Sequence, residues 1–193
     1  MNCIQNPRVT QLISEILVDL VEGEFMQLDK ALDFEKYLQK TYNKTASLMA
    51  NSCCAAAIIA GASEEIIKAA KDYGKFVGLA FQLTDDLLDI TSSTSLLGKP
   101  AAVDLQLGLI TAPVYFAMKE FPEILPIAER QFSQAGDIEK VLSLVKQSSA
   151  IVQTQNLVAQ YCVLAEKAIS LLASSPASRA LADIPSIVQH RSK

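Results

Sequence analysis

The chain has 193 residues, half of them hydrophobic, with a net charge of −4, a pI near 5.1 and a mean hydropathy of +0.25. That length allows one sizeable core, and 1–193 is expected to form a single helical domain. With no basic stripe and aromatics at only 6%, nucleic-acid binding has little support, and the apolar balance suggests surface buried against something else.

Gly and Pro are sparse, Trp is absent, and Ala, Leu, Lys, Gln and Glu dominate, which predicts an all-α chain. The start, "MNCIQNPRVTQL", has neither the apolar core of a signal peptide nor the arginines of a transit peptide. Leu12, Ile16 and Leu20, then Ile13 and Leu17, keep helical spacing and predict a helix over 9–28. Asp29 or Asp33 is a candidate cap for a second helix over 34–61, whose later half is rich in Ala, Ser and Cys. The most apolar window, 46–62, contains Asn51 and several serines and is too short to span a membrane. Cys53 and Cys54 are neighbours on a helix, and with Cys3 and Cys162 they read as small buried hydrophobes.

Ser63 followed by Glu64 and Glu65 predicts the start of a third helix that reaches Thr91. Gly74 and Gly78 lie inside it, where each costs about 1 kcal/mol of helix propensity relative to Ala. Their simplest use is close approach by another helix. "TSSTSLLGKP" predicts a loop, and further helices are predicted over 103–118, 124–131, 137–148, 152–173 and 177–189. His190, the lone histidine, reads as part of a solvated tail.

The third helix carries "FQLTDDLLDI". Residues three and four apart share a helix face, so Gln82, Asp85, Asp86 and Asp89 form a polar stripe between apolar neighbours. Clustered carboxylates repel one another, and burying them unpaired is costly. A divalent cation relieves both problems; all-oxygen donors favour Mg2+ over Zn2+. The bland alternative is a half-exposed face paired with lysines. Lys44, Lys99 and Asp104 shift the balance, because carboxylates, a bridging Mg2+ and convergent lysines are what a diphosphate needs.

The blocks "GEFMQL", "YLQKTYNKTASL", "GLAFQLTDDLLD" and "LGKPAAVDLQLG" resemble, in order and approximate spacing, the trans-prenyltransferases, the polyprenyl diphosphate synthases. The branch they resemble most is subunit 1 of the eukaryotic decaprenyl or solanesyl enzymes, which make the ubiquinone side chain in mitochondria. The resemblance implies an isoprenoid-synthase-type helical bundle that binds isopentenyl diphosphate and an allylic diphosphate and works as a homo- or hetero-oligomer. It implies that Asp85, Asp86 and Asp89 hold Mg2+, that Lys44 and Lys99 clamp the diphosphate, that Thr45 and Gln82 lie near the scissile C–O bond, and that Asp104 supports the site. It makes Phe81 and Leu79 candidates for the wall of the product tunnel.

Two departures follow. Many members carry a lysine where this chain has Leu109, which implies one cation fewer at the diphosphate site, a change that the eukaryotic ubiquinone-side-chain branch shares. The family's first D-D-x-x-D and its paired arginines, expected upstream of "GEFMQL", have no match among Asp19, Asp29, Asp33, Asp72, Asp137 and Asp183. The bundle is therefore expected to be incomplete at its N-terminus and inactive alone. The alternative is a non-catalytic partner of a full-length prenyl synthase subunit. A class I terpene cyclase, which shares the helical fold, is disfavoured by the G-K after the aspartates.

Overall fold

The computed structural model describes residues 5–28, 33–91 and 102–191, and every regular element among them is helical. Helix α1 (Pro7–Leu28) has proline at its first position, where no amide partner is needed, and Asn6 Oδ1 accepts from the Arg8 amide at 3.0 Å. Asp33 caps α2 (Phe34–Thr41), its carboxylate accepting from the Glu35 amide at 2.9 Å. Asp29, the other candidate cap, lies outside the described residues.

The single helix expected over 34–61 is interrupted. A π turn (Tyr42–Ala46) separates α2 from α3 (Ser47–Ile59). The wider turn takes up an extra residue, and such turns concentrate at functional sites. Here it lies against Gly23 of α1, where an added Cβ would come within 2.6 Å of Lys44 Cγ. Helix α4 (Glu64–Thr91) begins where Ser63 Oγ accepts from the Ile66 amide at 3.4 Å.

The helix expected over 103–118 is also two pieces, α5 (Val103–Gln106) and α6 (Ala112–Glu120). Gly108 takes a left-handed φ of +76° and Leu109 N turns back to Asp104 O at 2.8 Å, which ends the first piece. The helix expected over 124–131 is a short 3-10 turn (Pro122–Ile124) leading into α7 (Leu125–Glu129). Helices α8 (Asp137–Gln147), α9 (Ala150–Ile169) and α10 (Pro176–Gln189) follow close to their expected places.

Helix α4 is the centre, packed by α3 on one flank and α9 on the other. The glycines explain how close α3 comes. A Cβ on Gly74 would sit 2.4 Å from Met49 O, and one on Gly78 would sit 2.6 Å from Ala46 Cα. Leu83, Val158, Cys162 and Ala165 fill the seam between α4 and α9. Full burial of a side chain such as Leu83 contributes roughly 1.5–3 kcal/mol. Leu105, Val114, Val141 and Val145 build a second core under α5 to α8. Cys54 and Cys162 are buried and free, as expected of small hydrophobes, whereas Cys53 is free but only half-buried; Cys3 lies outside the described residues. No described helix is long and apolar enough to cross a membrane.

Helix α1 buries Val9 and Leu12 but turns Leu17, Val18, Val21 and Phe25 outward, Phe25 being 68% exposed.

Candidate functional site

The aspartate stripe of α4 divides into three environments. Asp86 is buried, and its carboxylate accepts from the Tyr37 hydroxyl, from Gln82 Nε2 at 3.1 Å and from the Ala112 amide at 3.2 Å. Burial pushes its pKa up, while these donors and the nearby Lys40 pull it back. Burial, with the Asp86 charge beside it, also drives the Tyr37 phenol well above its ordinary range. Tyr37 and Ala112 thus bring α2 and the start of α6 onto one carboxylate of α4.

Asp89 is used differently. Its two oxygens accept from the amides of Val103 at 2.9 Å and Asp104 at 3.1 Å, the first turn of α5. Asp85 faces outward, its side chain 50% exposed, with Arg191 Nη1 3.4 Å from Oδ1. The Arg191 guanidinium lies over the Phe81 ring, 4.8 Å from its centroid. Asp104 is pushed up to about 6, first by burial and then by the charges of Asp89, Asp86 and Asp85. That residual repulsion among hard oxygen donors is the environment a divalent cation fits.

Lys44, on the π turn, is held by Glu24 Oε1 at 2.9 Å and Gln27 Oε1 at 2.7 Å, both from the C-terminal end of α1. The next residue, Thr45, donates its hydroxyl to Gln82 Oε1 at 2.9 Å, and Gln82 passes the connection to Asp86. Thr45, Gln82, Asp86 and Tyr37 therefore form one fixed polar chain across α4, the π turn and α2.

A cavity of about 240 Å³ collects much of the expected set: Lys44, Thr45, Gln82, Asp86 and Asp104 all line it. Asp85 and Asp89 do not line it, and Lys99 lies outside the described residues. Among the described residues no three His, Cys, Asp or Glu side chains converge as a ready-made metal site. Leu79 is buried, and Phe81 is half-buried beneath Arg191.

The sequence reading missed Tyr37, Lys40 and Thr111, which share the cavity wall. A signal for Lys40 was present, since it stands four residues before Lys44 on a helical path and so near the same face.

A family model for polyprenyl synthetase matches residues 1–145. The chain belongs to the polyprenyl synthetase family. Over its whole length the chain is 46% identical to a decaprenyl-diphosphate synthase of Dictyostelium discoideum, of which it covers 43%. It is 42% identical, over 98% of the chain, to a probable mitochondrial hexaprenyl pyrophosphate synthase of Yarrowia lipolytica, covering 44% of that protein. The chain thus spans less than half the length of these two relatives. Among solved structures it superposes on a polyprenyl synthase from Caulobacter crescentus, complexed with calcium and isoprenyl diphosphate. The TM-score is 0.87 and the identity 29%, over 97% of this chain and 60% of that one. The isoprenoid-synthase bundle expected from the sequence is the fold observed.

Proposed function

We propose that this polyprenyl synthetase chain is the diphosphate-binding part of a synthase that condenses isopentenyl diphosphate with an allylic diphosphate. The observation that carries this reading is the cavity that gathers Lys44, Thr45, Gln82, Asp86 and Asp104 from three separate elements. Asp85, Asp86 and Asp89, with phosphate oxygens, are the donors that would hold Mg2+. When bound, that ion would neutralise the departing diphosphate.

In the proposed reaction the allylic C–O bond breaks, and diphosphate leaves with the bonding pair. The double bond of isopentenyl diphosphate attacks the allylic carbon, and a proton is then lost to the released diphosphate or to solvent. Lys44 donates to the leaving phosphate oxygens. The Thr45 hydroxyl donates its hydrogen bond to Gln82 Oε1, so its oxygen is left with lone pairs that steady positive charge nearby. The Gln82–Asp86–Tyr37 chain fixes that orientation. Lys99 is proposed as the second diphosphate lysine and Asp104 as support for the bound phosphate.

Asp85, Asp86 and Asp89 are the one aspartate cluster of the sequence. We therefore infer that these 193 residues bind diphosphate without turning it over, and that condensation draws a second carboxylate set from elsewhere. The outward apolar face of α1 supports association with a second copy or with another synthase subunit. It equally supports a second reading, a non-catalytic partner of a longer prenyl synthase. The names of the relatives support a mitochondrial enzyme, and the resemblance supports a product destined for ubiquinone.

The test is equilibrium dialysis of radiolabelled farnesyl diphosphate against the purified chain, with and without Mg2+. Binding is expected only with the metal and is expected to weaken in Asp85→Ala. Unchanged binding in that variant overturns the metal assignment, and a polyprenyl product from the chain alone overturns the half-site reading.

A further inference from the structure

Lys40, a cation lining the cavity, has its ammonium over the Tyr37 ring and no ion pair among the described residues. Lys40 lies one helical turn before Lys44, half-buried at the end of α2. Lys44 is engaged by Glu24 and Gln27. The Lys40 ammonium instead has the Tyr37 ring 5.4 Å away and no hydrogen bond or ion pair among the described residues. Burial draws its pKa down, while the charges of Asp86 and Asp104 act the other way. A desolvated ammonium with its donors open is costly to keep in a fold that gains nothing from it.

Its position is informative. Lys40 lines the 240 Å³ cavity and also an adjoining one of about 70 Å³, and Leu109 lines both as well. Leu109 is the position where the family resemblance implies a lysine in many members. Asp86 and Asp104 act on Lys40 electrostatically but are themselves occupied or crowded: Asp86 already accepts from three donors, and the charge of Asp104 is disfavoured by burial and then by its carboxylate neighbours. A ligand rich in acceptor oxygens, brought in with a metal, would satisfy the lysine and the carboxylates together.

We propose that Lys40 is a diphosphate-binding residue, which supplies from α2 the positive charge that Leu109 does not supply from the turn after α5. This rests on the diphosphate-binding reading above and extends it to a residue outside the expected set. Lys40 then meets the phosphate from the Tyr37 side of the cavity, while Lys44 approaches from the α1 side. The lysine's flexible stem suits a point contact to a phosphate oxygen.

The experiment uses the full chain and inorganic pyrophosphate as the probe, titrated calorimetrically with and without Mg2+. Lys40→Met is expected to weaken Mg2+-dependent pyrophosphate binding roughly tenfold, as loss of a charge-assisted contact does. Lys40→Arg should stay within about threefold of the parent, because the positive charge is kept. Mg2+ binding measured without pyrophosphate should not weaken in Lys40→Met, since removing a cation beside carboxylates cannot reduce their attraction for a metal. Adding Leu109→Lys to Lys40→Met should recover most of the lost affinity. Parental affinity in Lys40→Met overturns the proposal and leaves the diphosphate reading standing. So does a loss accompanied by weakened Mg2+ binding or reduced helicity, or a double variant that recovers nothing. A parent chain that binds no pyrophosphate with Mg2+ present overturns both.

Discussion

The amide of Asp104 donates to Asp89 Oδ2 at 3.1 Å, beside Val103 N on Oδ1 at 2.9 Å. One carboxylate at the end of α4 thereby holds the first turn of α5 and closes the chain on either side of residues 92–101. The same clasp places the Asp104 side chain where burial first, and then the charges of Asp89, Asp86 and Asp85, push its carboxyl up to about 6. A contact that looks like simple capping also sets the charge density of the site.

Removing the clasp should be measurable without any ligand. Asp89→Ala leaves two amides without their charged acceptor, a loss of about 2 kcal/mol. Urea unfolding followed by circular dichroism should show a lower midpoint at unchanged slope. Asp89→Asn keeps one acceptor oxygen and should lose less. Equal stability in all three proteins would mean that the α5 amides find other partners.

The contact between α3 and α4 allows a second test. In Gly78→Ala the new methyl carbon would meet backbone, Ala46 Cα at 2.6 Å, and not the far end of a flexible side chain. Overpacking of this kind costs about 1–3 kcal/mol. Because Ala46 ends the π turn, relief of the clash should also stretch the Thr45–Gln82 hydrogen bond, now 2.9 Å. A lower melting temperature and shifted amide resonances at Thr45 and Gln82 are the expected readouts. An unchanged melting temperature would show that the helices separate at no cost.

Acid stability should depend on α8. Arg130 Nε donates to Asp137 Oδ2 at 2.8 Å, and the Gln134 amide donates to the same oxygen at 3.0 Å. The Arg130 hydrogen bond, ahead of the other contributions, holds the Asp137 carboxyl below its ordinary range. A depressed folded-state pKa means that this group's stabilisation is complete above the unfolded value, about 4, and is lost as pH falls through the folded value. Asp137→Asn should therefore be less stable than the parent near neutrality and lose less on acidification below about pH 4. Parallel stability curves for the two proteins would exclude the assignment.

Much of the architecture was legible in residue spacing. The caps at Asp33 and Ser63 and the close approach at Gly74 and Gly78 follow from local chemistry, and the structure has them. The π turn was not legible, because a helix that takes up one extra residue keeps the same composition and nearly the same period. The break between α5 and α6 was available in Gly108, whose left-handed φ an ordinary helix residue rarely adopts. At the site, period placed Asp85, Asp86 and Asp89 on one face but carried no information about depth. Depth depends on what packs above the face, and Tyr37 and Ala112 arrive from distant segments to enclose Asp86 alone. For Lys40 the sequence offers only its spacing four residues before Lys44; the cavity that it lines is completed by Leu109 and Thr111 from a distant segment.

The outward row on α1 bears on how long such a chain persists in a cell. Leu17 and Phe25 are 60% and 68% exposed, with Val18 and Val21 between them. Oily surface of this kind, left uncovered, invites aggregation and triage by chaperones and proteases. Steady-state abundance would then track the supply of whatever shields that row and respond only weakly to the intrinsic stability of the helices beneath it.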